Sequence, residues 1–258
     1  MARLTQFQSE QFIDLGFIKI ENAFSRELAK QCRDILWKAT GADPDDSATW
    51  TKPVIRIGEI SLPPFQQAAN TRVLHDAFND LAGDNWLPRI SVGSFPIRFP
   101  SKEPANDTGW HVDASFPGSS PDNYLEWRIN IHSRGRALLM LFLFSDVEEA
   151  DAPTVIKKGS HLEVARILAP EAESGLSFTE LAQKLTVSTT ENIALATGEA
   201  GTVYLCHPFL AHRAQDHQGK NPKFMAQPPL LTKRDFDPLK PGRDLCPVER
   251  AILKGISQ

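Results

Sequence analysis

The chain has 258 residues, 41% hydrophobic and 23% charged, ordinary proportions for a folded globular protein of one large or two small domains. With 28 basic against 32 acidic residues the net charge is −4, which leaves no cationic field for nucleic acid, and no apolar run nears the roughly 18 residues of a membrane span. Residues 1–6 carry no signal-peptide core, and the scattered cysteines Cys32, Cys206 and Cys246 argue for a reducing, cytoplasmic setting over a disulfide framework.

In chain order, the spacing of Phe7, Gln11, Phe12 and Leu15 predicts a helix over 6–15, ended by Gly16. Residues 17–21 alternate as a strand, and Ser25 caps a second helix whose apolar face is Leu28, Cys32, Ile35 and Leu36. Residues 40–64, rich in Gly, Asp, Pro and Ser, read as a long loop and a candidate lid, as does 116–125. One helix is expected over 66–81. From Pro88 the period becomes two: strands are expected within 90–98, 127–132, 137–147, 154–157, 201–206 and 223–227, with helical segments at 162–168 and 178–185. The tail after Leu231, charged and rich in Pro, is expected to wrap the surface. Helices followed by about eight short strands predict a single mainly β domain: a jelly roll, or double-stranded β-helix, of about 86–231, buttressed by an N-terminal helical part of about 1–85.

Chemistry enters with His111, Asp113 and His212. In extended chain, His111 and Asp113 point to one side because the period is two. Two imidazoles and a carboxylate on one face of a metal leave the other face open, as in non-haem Fe(II) oxygenases that take a 2-oxo acid and O2. A His-x-Asp triplet alone is a weak signal; Asp113 also suits a turn and His111 a hydrogen-bonded core position. His207 and His217 compete with His212 for the third place, His207 as a core histidine and His217 as an exposed turn residue. Zinc is disfavoured because the cysteines show no paired spacing and no helical His-Glu-x-x-His occurs. Ser160-His161 is not read as a nucleophile pair, since adjacent residues rarely converge.

Four segments, in order, resemble the phytanoyl-CoA dioxygenase family of Fe(II)/2-oxoglutarate oxygenases: Leu4-Thr5-Gln6 through Gly16-Phe17, Trp110-His111-Val112-Asp113, Asp146 through Gly159-Ser160-His161, and His212 through Lys223-Phe224. The resemblance implies that His111, Asp113 and His212 hold Fe(II), and that 2-oxoglutarate and O2 become succinate and CO2 as a small-molecule C–H bond is oxidised, most simply by hydroxylation. It implies an arginine eleven residues beyond the second histidine to pair with the far carboxylate of 2-oxoglutarate. This chain has Lys223 there (212 + 11), which keeps the charge but loses the bidentate fork. Arg136, Arg213 and Arg98 are alternative partners. Related iron halogenases have a small residue in place of the aspartate, so Asp113 favours oxygen insertion or another oxidative outcome such as desaturation or ring closure. In the family Gly159-Ser160-His161 is a structural segment, with His161 a turn or cap residue. Trp110 and Phe116 flank the ligands and, with Arg98, are substrate-pocket candidates. A non-catalytic ligand binder and an oxygen-independent metal isomerase or hydrolase are the rival readings; substrate and oligomeric state are open.

Overall fold

The computed structural model describes residues 4–185, 192–240 and 242–258; of the N-terminal stretch read for a signal peptide, residues 1–3 lie outside them. Helix α1 (Gln6–Leu15) opens with a capping box between Thr5 and Gln8 and closes at Gly16, φ 87°. A Cβ at Gly16 would lie 2.5 Å from His161 Nδ1, so both the backbone and the neighbour require glycine here. Strand β1 (Phe17–Ile20) leads to α2 (Arg26–Thr40), whose N-terminus Ser25 caps through Leu28 N.

The stretch expected to be one long loop, 40–64, contains strand β2 (Val54–Ile57) and a short 3-10 turn, Ser47–Thr49. The single helix expected over 66–81 is two, α3 (Pro63–Ala69) and α4 (Arg72–Ala82). Side-chain hydrogen bonds break it. Thr71 is extended; its hydroxyl accepts from Leu74 N and donates to Ala23 O at 2.7 Å, while the Asn70 amide donates to Gln66 O and Arg89 O.

Then follow β3 (Phe95–Arg98), β4 (Arg128–Ile129), β5 (Leu138–Leu143), β6 (Val155–Lys157), α5 (Ser160–Leu168), β7 (Leu176–Ser177), α6 (Phe178–Lys184), β8 (Ile193–Leu195), β9 (Val203–Cys206), β10 (His212–Arg213), β11 (Met225–Ala226) and β12 (Pro229–Leu230). All pairings are antiparallel. The main sheet runs β1-β9-β5-β11, with β12 also on β5; a second sheet runs β10-β6-β8; β2 pairs β3 and β4 pairs β7. Strand β5 is buried on both faces. Leu138, Met140 and Phe142 pack in the larger core with Leu36, Phe65, Leu74 and Phe78 of the helices, whereas Leu139, Leu141 and Leu143 join Ile156 and Met225 in a smaller core between the sheets.

Helices hold more of the described residues than strands do, so the mainly β expectation is corrected to a mixed fold with antiparallel sheets. The strands exceed the expected eight, but all except β5 run only two to four residues, because tight turns and bridges interrupt the ladders. The tail is not only a surface wrap: it ends in α7 (Pro247–Ile256), whose Val248, Ala251 and Ile252 are buried and whose Arg250 and Lys254 pair with Glu10 and Asp14 of α1. Pro247 stands at the first helical turn, where its missing N–H costs nothing. Among the described residues no helix is long and apolar enough to cross a membrane.

Candidate metal centre

His212, on β10 at the edge of the second sheet, forms an isolated antiparallel bridge with His111: His111 N donates to His212 O at 3.0 Å, and His212 N to His111 O at 2.9 Å. The bridge sets the two rings 4.5 Å apart, and Asp113, two residues on, projects to the same side. Each histidine Nδ1 faces a carbonyl two residues back, Gly109 O at 2.9 Å for His111 and Leu210 O at 3.0 Å for His212. A carbonyl only accepts, so Nδ1 donates to it and Nε2 is the ring nitrogen left to ligate, although His212 Nε2 here also lies 2.9 Å from the Gln227 amide nitrogen. One donor atom from each of the three side chains lies within 4.8 Å of the others.

Asp113 Oδ1 is 3.6 Å from His111 Nε2 and 3.7 Å from His212 Nε2. Its other oxygen, Oδ2, accepts from Gln227 Nε2 at 3.2 Å and lies 3.6 Å from the Arg136 guanidinium. Burial alone would raise the Asp113 pKa; His212, Arg136, His111 and the Gln227 hydrogen bond outweigh it and hold it below the usual value. Burial, with His111 alongside, pushes His212 down to about 4, so its imidazole is neutral near pH 7. Arg136, itself buried, donates to Asp113 O at 3.0 Å and Ala114 O at 2.8 Å, while its Nε has no partner among the described residues.

The trio opens on a cavity of about 460 Å³. Cavities of comparable volume lie elsewhere, one of about 470 Å³ beside Asp84 and Glu249; the His111, Asp113 and His212 donors set the first apart. Arg98 and Lys223 are partners in an antiparallel bridge and are both buried. Arg98 donates to Asp107 Oδ2 at 2.7 Å, and Arg56 pairs with the same carboxylate. The Lys223 ammonium donates to Ala152 O; burial, reinforced by Arg98, lowers its pKa well below that of a free lysine, against the pull of Asp107. Two arginines thus share the Asp107 carboxylate at this end, with Lys223 buried beside them.

Tyr124, Thr154, Met225 and Gln227 also line the cavity. Sequence reasoning missed Gln227, Tyr124, Asp107 and Arg56; the one available signal was spacing, since 223, 225 and 227 share a face in extended chain. Arg213 and Trp110 stack on each other 5.3 Å apart, and Phe116 lies under Arg134; none of the three is among the cavity-lining residues.

The remaining histidines are built into the fold. His207 is fully buried, its Nδ1 accepting from Phe209 N and its Nε2 facing Val248 O. His161, expected as a turn or cap residue, lies inside α5, which Gly159 caps, and is buried: its Nε2 donates to Ile13 O at 2.9 Å and its Nδ1 has no partner among the described residues. His217, expected as an exposed turn residue, lies in an irregular segment and is buried beside Asp151. Ser160 Oγ donates to Lys157 O and accepts from Ala211 N, a structural use of the hydroxyl.

HygX from Streptomyces hygroscopicus, with nickel and 2-oxoglutarate bound, matches with TM-score 0.56 at 16% identity over 88% of this chain and 86% of that one. EctD from S. alaskensis, with 2-oxoglutarate and 5-hydroxyectoine, matches with TM-score 0.54 at 20% identity over 89% of this chain and 75% of that one. A putative oxidoreductase from Salmonella typhimurium LT2 gives TM-score 0.59 at 13% identity over 90% and 71%. At these identities the likeness is one of fold. No curated protein sequence matches. The family model described as phytanoyl-CoA dioxygenase (PhyH) matches residues 12–225, from the first helix through the strand that carries Met225, and the chain belongs to that family.

Proposed function

We propose that this protein is an Fe(II)/2-oxoglutarate-dependent oxygenase that hydroxylates an unactivated C–H bond of a small molecule. The observation that carries the reading is the convergence of three donor atoms, two imidazole nitrogens and a carboxylate oxygen, on a cavity also lined by the buried Arg98 and Lys223. The donor set fits the group: it is the 2-His-1-carboxylate set of non-haem iron sites, with no thiolate nearby to favour zinc. The basic wall fits the cosubstrate, since Arg98, Lys223 and Arg56 face only Asp107 there, which leaves room for an incoming carboxylate. The structures of HygX with 2-oxoglutarate and hygromycin B, and of EctD with 2-oxoglutarate and 5-hydroxyectoine, support a small-molecule substrate.

When bound, iron with 2-oxoglutarate and O2 supplies the oxidising power, and the cosubstrate leaves as succinate and CO2. The chain supplies binding and orientation. His111, Asp113 and His212 hold the metal. Lys223, seconded by Arg98, takes the distal carboxylate of 2-oxoglutarate; Arg136 is committed to the loop carbonyls and to Asp113, and Arg213 to Trp110, so neither is assigned to it. Arg56 on β2 and Tyr124 border the cavity, which makes 40–64 and 116–125 the covering segments that exclude water. Burial keeps the Tyr124 hydroxyl protonated well above its ordinary range. We read the two sheets as the halves of a double-stranded β-helix within one catalytic domain, working in a reducing cytoplasm.

The test is to add Fe(II) and 2-oxoglutarate to the protein without oxygen and record the visible spectrum, with His212→Ala alongside. A charge-transfer band in the wild type that the variant lacks supports the reading. Its absence from a folded, metal-loaded wild type sinks it.

A further inference from the structure

The two oxygens of Asp113 face different surroundings. Oδ1 looks toward both histidine Nε2 atoms, whereas Oδ2 looks away, toward Gln227 Nε2 at 3.2 Å and the Arg136 guanidinium at 3.6 Å. The Gln227 amide nitrogen is also 2.9 Å from His212 Nε2. Its two hydrogens therefore meet two lone pairs; the flipped amide would set its oxygen against both and is excluded. Neither neighbour of Oδ2 is loose. Gln227 N is tied to Ser94 O at 2.9 Å, and Arg136 is pinned by the Asp113 and Ala114 carbonyls.

We propose that Gln227 is a positioning residue which, with Arg136, occupies Asp113 Oδ2, so that Asp113 gives a metal one oxygen rather than two. A carboxylate can bind a cation through one oxygen or both, and the second would take a position that the 2-oxo acid needs. When a metal claims the His212 Nε2 lone pair, Gln227 keeps the bond to Oδ2 and holds the carboxylate turned. The inference rests on the metal-site reading above and goes beyond it by assigning a residue that is not a ligand.

Co(II), titrated anaerobically, is the probe: its visible d–d spectrum reports coordination number, and 2-oxoglutarate is then titrated into the Co(II) protein. Gln227→Leu keeps size but removes both donors. It is expected to weaken Co(II) binding about 10- to 100-fold, as is usual for partners of metal ligands, to change the d–d spectrum, and to weaken 2-oxoglutarate binding. Gln227→Glu adds a carboxylate beside His212 and is expected to tighten Co(II) while weakening 2-oxoglutarate. A folded Gln227→Leu protein with the wild-type spectrum and 2-oxoglutarate affinity overturns the proposal while leaving the metal site standing. If that variant does not fold, the same wild-type behaviour in Gln227→Glu overturns it. A wild type that takes up no Co(II) removes the metal reading, and this inference with it.

Discussion

Lys223 stands where the family resemblance calls for arginine, and its surroundings make the substitution consequential. The ammonium is buried beside Arg98, with the Ala152 carbonyl as its acceptor. Lys223→Met keeps the length of the stem and removes the charge. A hydrogen bond to a charged group contributes about 1.5–3 kcal/mol, so 2-oxoglutarate affinity in the metal-loaded protein should fall roughly 10- to 100-fold. The melting temperature should hold or rise, because a desolvated cation has been removed; calorimetry with and without 2-oxoglutarate separates the two effects. His161 leads to a prediction about acid. Burial pushes its pKa down to about 4, so it is neutral in the folded protein while the unfolded chain titrates near 6.5. Stability is then full above pH 6.5 and is lost as pH falls toward 4, by ~3 kcal/mol from this residue. Urea unfolding across that window should show the loss, and His161→Leu should reduce it, leaving the share of the other buried histidines, His207 and His212. At this scale the pairing of His111 with Asp113 was legible in the sequence, because a His-x-Asp step in extended chain sends both side chains one way; His212 was singled out from His207 and His217 only by the family resemblance. Gln227 was not: an amide carries no chemistry by type, and its role depends on what stands across the cavity.

At the scale of elements, caps were readable and breaks were not. Thr5 and Ser25 cap α1 and α2 by the local rule that Ser and Thr accept from the first helical turn. The break between α3 and α4 escaped notice because the apolar stripe of Phe65, Ala68, Leu74, Ala77, Phe78 and Leu81 continues across it. Thr71 then does two jobs, capping α4 and tying it to Ala23, and Thr71→Ala should cost about 1 kcal/mol in urea unfolding. If Thr71→Ala instead left stability unchanged, the break would belong to Asn70 alone. Helix α7 was masked by the Pro-rich, charged approach to it, although its buried residues recur at the helical interval.

For the whole molecule, the tally of strands and helices was the least legible part. A strand of two residues has no period to read, and the sheets are held by pairings between segments far apart, such as β1 with β9. The cysteines were readable: all three are free, and burial pushes the Cys32 and Cys246 thiols up to about 12 and Cys206 up as well. A thiol reagent should therefore react slowly with the native protein and with three groups per chain after denaturation, and a reductant should leave the melting temperature unchanged. The bridge between His111 and His212 has a consequence for how the site can fail. The two backbones lock in a register of whole residues, and a slip by one would set Ala211 or Arg213 opposite His111 and turn the imidazole to the far side. Such a site has no half-formed state. Damage to this pairing would appear as a fraction of molecules that hold no metal, while those that hold it do so with full strength: lost occupancy at constant affinity.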